Sequence, residues 1–145
     1  MSTKQTIEPN ELDPTHSKIE FARLDGKEVS DPTWNKLLGF LVEQYYFDLV
    51  NREGISRNES IGIIAEIVGI KDGDNSGNDG WTYLSHPRLS VQGEDAIDIW
   101  REIRTLATHM AMHRWSRYMI ELELRFAGGS ATIGRCTVAW ESPDI

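Results

Sequence analysis

Residues 89–111 predict a short strand that turns directly into an amphipathic helix. Leu89 and Val91 favour extended structure, and Gly93 provides the turn. Beyond it, apolar side chains recur with the three- and four-residue spacing of one helix face, at Ala96, Ile99, Trp100, Ile103, Ala107 and Met110. The polar residues Glu94, Asp95, Asp98, Glu102, Thr105 and Thr108 fall on the other side. We therefore expect the apolar face to be buried and the acidic face to lie in water.

Regular structure is also predicted on both sides of this unit. An alternating pattern with a turn at Asp25 and Gly26 predicts a hairpin over 18–29. Pro32 suits the first turn of a helix that we expect from Trp34 to Leu49. Near the C-terminus, strict alternation predicts a strand over 118–126. A turn at Gly128 and Gly129 and a returning strand over 131–140 complete a second hairpin.

Residues 57–69 leave two structures open. Ser56 and Glu59 have the spacing of a capping box, and Gly69 is suited to ending a helix. Against this, Gly62 interrupts the segment and its many isoleucines favour a buried strand. The balance slightly favours a helix.

Together these elements predict a single α+β domain. Its mainly antiparallel sheet is expected to contain the N-terminal hairpin, the central strand and the C-terminal hairpin, with two or three helices on one face. The domain is expected to span residues 18–140, between a polar tail over 1–17 and a short tail over 141–145. A chain of 145 residues fits one domain and is too short for two ordinary ones.

Composition limits the classes of function. The net charge of −8 repels a phosphate backbone, so direct nucleic-acid binding is not expected. Mimicry of nucleic acid by the acidic surface is disfavoured because 15 basic residues are interspersed. No apolar run approaches the roughly 20 residues that span a bilayer, and Cys136 is the only cysteine. We expect a soluble cytoplasmic protein with no cofactor.

Two groups of residues are weak candidates for a metal or catalytic site. The loop containing Asp72 and Asp74 begins like a calcium loop, but Tyr83 stands where a bidentate carboxylate is required. On the central helix, residues that share one stripe offer acid–base or zinc chemistry, namely Asp98, Glu102, His109 and His113. A hydrated helix face explains the same stripe, so the sequence favours neither a metal nor catalysis there, while it leaves an enzyme open as the alternative.

Two other sets of side chains are candidates for binding. A cluster of basic residues indicates an anion site, at Arg101, Arg104, Arg114 and Arg117, although surface ion pairs are the commoner role of such residues. Aromatic residues that are candidates for contact with a partner are Phe40, Tyr46, Phe47 and Trp115.

The function predicted from these features is that of a small acidic, non-catalytic protein-interaction module. We expect a regulatory, inhibitory or immunity-type subunit of a bacterial or phage system. Its expected partner is another protein, either alone or as part of a larger complex. The alternative is a small enzyme or anionic-ligand-binding domain that uses the Asp/Glu/His stripe of the central helix.

Overall fold

The computed structural model describes residues 5–126 and 134–143. The elements follow one another as β1 (Gln5–Thr6), a 3-10 turn (Pro9–Glu11), β2 (Ser17–Leu24), β3 (Lys27–Glu28), α1 (Trp34–Phe47), a π-helical turn (Asp48–Arg52), α2 (Arg57–Ala65), β4 (Ile70–Asp72), β5 (Trp81–Leu84), β6 (Leu89–Gln92), α3 (Ala96–Arg114), β7 (Met119–Phe126) and β8 (Arg135–Glu141). The predicted α+β class is confirmed. The expected turn at Gly128 and Gly129 lies outside the described residues.

The strands form two sheets. The larger has the order β1-β8-β7-β2-β3, in which β2 pairs with β7 and β7 with β8 in antiparallel fashion, while β1 runs parallel to β8. This sheet joins the two predicted hairpins. The central strand β6 does not lie in it, because β4 and β5 occupy both edges of β6 and form a separate three-stranded sheet. The sequence did not predict β4 or β5 as strands.

Helices α1 and α3 lie side by side and run in the same direction. Near their N-terminal ends, the rings of Trp34 and Trp100 pack edge to face with centroids 6.2 Å apart. At their C-terminal ends, Tyr45 lies beside His113. Both helices belong to the same buried cluster as the apolar residues of β2, β7 and β8. The core is therefore built between these two helices and one face of the large sheet.

Local signals set several boundaries. Asp25 and Gly26 both have positive φ, as the tight turn between β2 and β3 requires. The side chain of Ser56 accepts a hydrogen bond from the backbone of Glu59 and so begins α2, which confirms the helix but ends it at Ala65. The residues that follow leave the helix and enter β4.

The described part of the N-terminal segment packs on the domain. The carbonyl of Pro9 accepts a hydrogen bond from Nε1 of Trp100 at 3.2 Å, and Leu12 is buried. At the other end of the chain, Ser142 is buried and its hydroxyl accepts the backbone N–H of Tyr118. Among the described residues, no helix is long and apolar enough to cross a membrane.

Candidate functional site

The predicted stripe on α3 does not form one exposed site. Glu102 is only 7% exposed, so the expectation that it lies in water is wrong. Ile99 and Leu106 stand one turn away on either side of it, and both are buried, so the buried sector of α3 extends round to Glu102. Asp98 instead forms an ion pair with Arg101 at 3.0 Å. The stripe is thus split between the interior and the surface.

Glu102 is held as a protonated carboxyl group. Its Oε2 is buried without a hydrogen-bond partner in the described part of the chain. Burial, followed by a hydrogen bond to the Glu94 carboxyl and repulsion from its charge, raises the pKa of Glu102 to about 8. At neutral pH the carboxyl group of Glu102 therefore keeps its proton. Its burial, and not its protonation, keeps Glu102 from a substrate that approaches from solvent.

The two histidines of the stripe contact helix α1 instead of converging with its acids. The Tyr45 ring lies 6.2 Å from that of His109 and 5.9 Å from that of His113. The hydroxyl of Tyr45 is 3.4 Å from Nε2 of His113, whose Nδ1 lies 3.7 Å from a carboxylate oxygen of Glu53. Across residues 5–126 and 134–143, no group of three or more metal-ligating side chains is placed to hold a metal ion.

The loop with the calcium-like beginning is held by other contacts. Asp74 accepts hydrogen bonds from the backbone and hydroxyl of Ser76, and Asp72 pairs with Arg57. The two carboxylates are therefore engaged separately. Buried Ser90 anchors the loop, because its hydroxyl donates to the carbonyl of Gly73 and accepts the backbone N–H of Asn75.

Arg57 is a structural residue that the sequence analysis missed. Its Nη1 donates to the hydroxyl of Tyr46 at 2.8 Å and to the carbonyl of Pro87 at 2.7 Å. Its Nη2 donates to Asp72 and to the carbonyl of Arg88. One guanidinium group thereby connects α1, α2, β4 and the turn between β5 and β6. No sequence motif announces such a role, since the bonded carbonyls belong to residues of unrelated type.

The four predicted anion-binding arginines separate into two groups. Arg114 pairs with Asp48 at 2.7 Å and with Asp25 at 3.2 Å, and Arg117 pairs with Glu141 at 3.1 Å. Arg101 and Arg104 line one groove between α3 and the end of β8. Of the four predicted arginines, these two line the same groove.

The predicted partner-binding aromatics also separate. Tyr46 is buried, and its ring packs edge to face with Phe47 at 5.3 Å, while Phe40 and Phe47 are partly buried against the core. Burial removes Tyr46 from the surface that a partner can reach. Trp115, in contrast, is 82% exposed.

Trp115 stands at the C-terminal end of α3 in an unusual backbone conformation. It caps the helix with φ 55° and ψ 32°, the left-handed region in which glycine is favoured. Met112, one turn earlier, is 55% exposed, and Met119 is exposed at the start of β7. We call Met112, Trp115 and Met119 the Trp115 knob. Among the described residues, the other exposed large apolar side chain is Ile97, at the opposite end of α3.

Compared with known proteins, the chain matches no family model, no curated protein and no solved structure.

Proposed function

We propose that the protein is a non-catalytic protein-interaction module that binds a basic partner protein through the Trp115 knob. The observation that carries this proposal is the exposure of Trp115 at a positive φ angle. Tryptophan is among the residues most enriched at the energetic centres of protein interfaces. Met112 and Met119, three and four positions along the chain from Trp115, are also exposed, and methionine side chains adapt to a partner's shape.

Folding stability does not explain a tryptophan at this position. The left-handed conformation costs a non-glycine residue on the order of 1–2 kcal/mol. An exposed indole also gains little from burial in the free protein. The end of the helix requires a left-handed residue but not a tryptophan, so the choice of an exposed, strained tryptophan is a reason to look for a functional role.

Charge decides the kind of partner. Arg114 is neutralised by Asp48 and Asp25, and Arg117 by Glu141, so the knob has no excess positive charge from these residues. The whole chain carries a net charge of −8. Such a field accelerates association with a basic protein and disfavours nucleic acid. The proposed partner presents an apolar socket for the indole, surrounded by basic residues.

The role that follows is regulatory, inhibitory or of the immunity type, in the cytoplasm of a bacterium or in a phage-infected cell. The Asp/Glu/His stripe does not support an enzyme as the second candidate, because Glu102 is buried and the histidines contact Tyr45.

A reconstituted complex tests the proposal. The tagged protein is used as bait in bacterial extract, the captured protein is identified and purified, and its affinity is measured by isothermal titration calorimetry. We expect Trp115→Ala to weaken binding roughly 30-fold or more, the usual effect of truncating a central tryptophan. Ile97→Ala, an exposed apolar residue at the other end of α3, is the matched control and should leave the affinity unchanged.

Three results would contradict the proposal. One is a purified partner that binds the wild type and Trp115→Ala equally. The second is a self-associated protein whose mass in solution is that of two copies. The third is an extract from which no captured protein remains bound through purification.

A further inference from the structure

An open groove of about 320 Å³ lies between α3 and the end of β8. Arg101, Arg104 and His109 line it from the helix, and Trp140 lines it from the strand. Its volume is at the lower end of the range of small-molecule sites, roughly 300–1,000 Å³. Two guanidinium groups and an indole ring thus border one space.

The guanidinium of Arg104 is already oriented by the protein. Its Nε donates to the carbonyl of Trp100 at 3.3 Å, and its Nη1 donates to Oδ1 of Asn10 at 3.3 Å. The group also lies over the Trp100 ring, 5.0 Å from the centroid. Arginine has five N–H donors, so the remaining donors are held in place with no protein acceptor among the described residues. An anion that binds them loses little entropy in ordering the side chain.

The groove carries positive charge that the described residues do not neutralise. Arg104 has no carboxylate partner in this part of the chain, although acidic residues outnumber basic ones by 23 to 15. Arg101 is paired with Asp98 alone, at the surface. Arg101 and Arg104 are three residues apart on α3, so the two cations are neighbours on the helix surface. Burial, and then the charge of Arg101, lower the pKa of Arg104. A bound anion relieves the repulsion between the two cations.

The other side chains that line the groove restrict further the kind of ligand that it can bind. The hydroxyls of Thr105 and Thr108 donate to the carbonyls of Arg101 and Arg104, so they are engaged within the helix. The guanidinium groups are therefore the main donors to an anion. Each presents a planar fork of N–H groups that can bind two oxygens of one phosphate. The partly exposed ring of Trp140 offers a flat apolar wall beside them.

We infer that this groove binds a small phosphate monoester, with its phosphate on Arg101 and Arg104 and an attached planar group on Trp140. The inference goes beyond the proposed function and does not depend on it, since the Trp115 knob lies outside the groove.

Titration of the purified full-length protein tests this site. The probes are adenosine 5′-monophosphate, ribose 5-phosphate, inorganic phosphate and adenosine, each followed by isothermal titration calorimetry. We expect the nucleotide to bind most tightly and adenosine to bind least. Arg104→Gln and Arg101→Gln should each weaken nucleotide binding about tenfold or more, and Asp98→Asn should tighten it, because Asp98 competes for Arg101.

The controls separate this site from general charge attraction. Arg23→Gln removes an exposed arginine that pairs with Glu121 on the large sheet, and it should leave the affinity unchanged. Because Arg101 is largely exposed, Arg101→Gln retains the fold even if Arg104→Gln does not. The inference is overturned if no probe binds at about 10 mM, which corresponds to negligible affinity. It is also overturned if Arg23→Gln weakens binding as much as Arg101→Gln, or if inorganic phosphate binds as tightly as the nucleotide.

Discussion

Glu102 lies inside the protein on helix α3, and Glu94, just before the helix, raises the pKa of the Glu102 carboxyl through a hydrogen bond and the repulsion of its charge. A carboxyl group in this position lowers the stability of the folded protein at high pH, because its charged form is buried away from water. Arg101 offsets part of that cost, while Glu94 and Asp98 add to it.

Glu102→Gln should make the protein more stable at high pH. Burial and the neighbouring Glu94 raise the pKa of the Glu102 carboxyl to about 8 in the folded protein, from the ordinary glutamate value of 4.5. The folded state therefore binds more protons between these pH values, and its stability falls as the pH rises through this window. The glutamine amide can still donate to Glu94, so we expect a gain on the order of 2–4 kcal/mol at pH 8 and little gain at pH 5.

Urea denaturation of both proteins at several pH values measures this effect. Glu28→Gln, a change at an exposed glutamate of β3, should show no such pH dependence. A stability difference between Glu102→Gln and the wild type that is the same at pH 5 and pH 8 would be inconsistent with a buried, protonated Glu102.

Arg57→Ala should destabilise the fold by about 2–4 kcal/mol, because it leaves the Tyr46 hydroxyl and the Pro87 carbonyl without their donor. The control is Asp72→Asn, which removes only the exposed ion pair and should cost less than about 1 kcal/mol. Chemical denaturation measures both. Equal losses of unfolding free energy in the two variants would show that Arg57 stabilises the fold only through its ion pair with Asp72.

Ser90→Ala should loosen the loop at residues 73–80. The buried hydroxyl makes two hydrogen bonds to this loop, and its removal leaves the backbone N–H of Asn75 unpaired, at a cost of about 1–3 kcal/mol. Hydrogen–deuterium exchange should quicken in the loop and remain unchanged in α1. Ser85→Ala, at an exposed serine, should alter neither. Unchanged exchange in Ser90→Ala would refute the anchoring role.

Trp115→Gly should be more stable than Trp115→Ala by about 0.4–1 kcal/mol, since only glycine adopts this positive φ without strain. Both variants should lose partner binding. Thermal unfolding separates them, and an alanine variant at least as stable as the glycine variant would show that the backbone at Trp115 is unstrained.

The sequence predicted those features that depend on local pattern. Periodicity located α1, α3 and the paired strands β7 and β8, and the capping residue Ser56 located the beginning of α2. The separate sheet was missed because β4 and β5 are three and four residues long, too short to establish a period.

The candidate sites were less predictable, because they depend on which side chains meet across the fold. Glu102 looked exposed on a helix wheel. The apolar residues Ile99 and Leu106, one turn away on either side, were the sequence feature that could have predicted its burial. The pairing of Arg114 with Asp48 and Asp25 joins residues 66 and 89 positions apart. No local sequence pattern distinguishes Arg114, which is paired with carboxylates, from Arg104, which is not.

The most direct test of the central claim is hydrogen–deuterium exchange of the protein alone and in complex with its reconstituted partner. The account predicts slower exchange in the complex at residues 112–119, around Trp115, and no change at the N-terminal end of α3, near Ile97. Protection confined to another surface, such as residues 40–47, with none at 112–119, would contradict it.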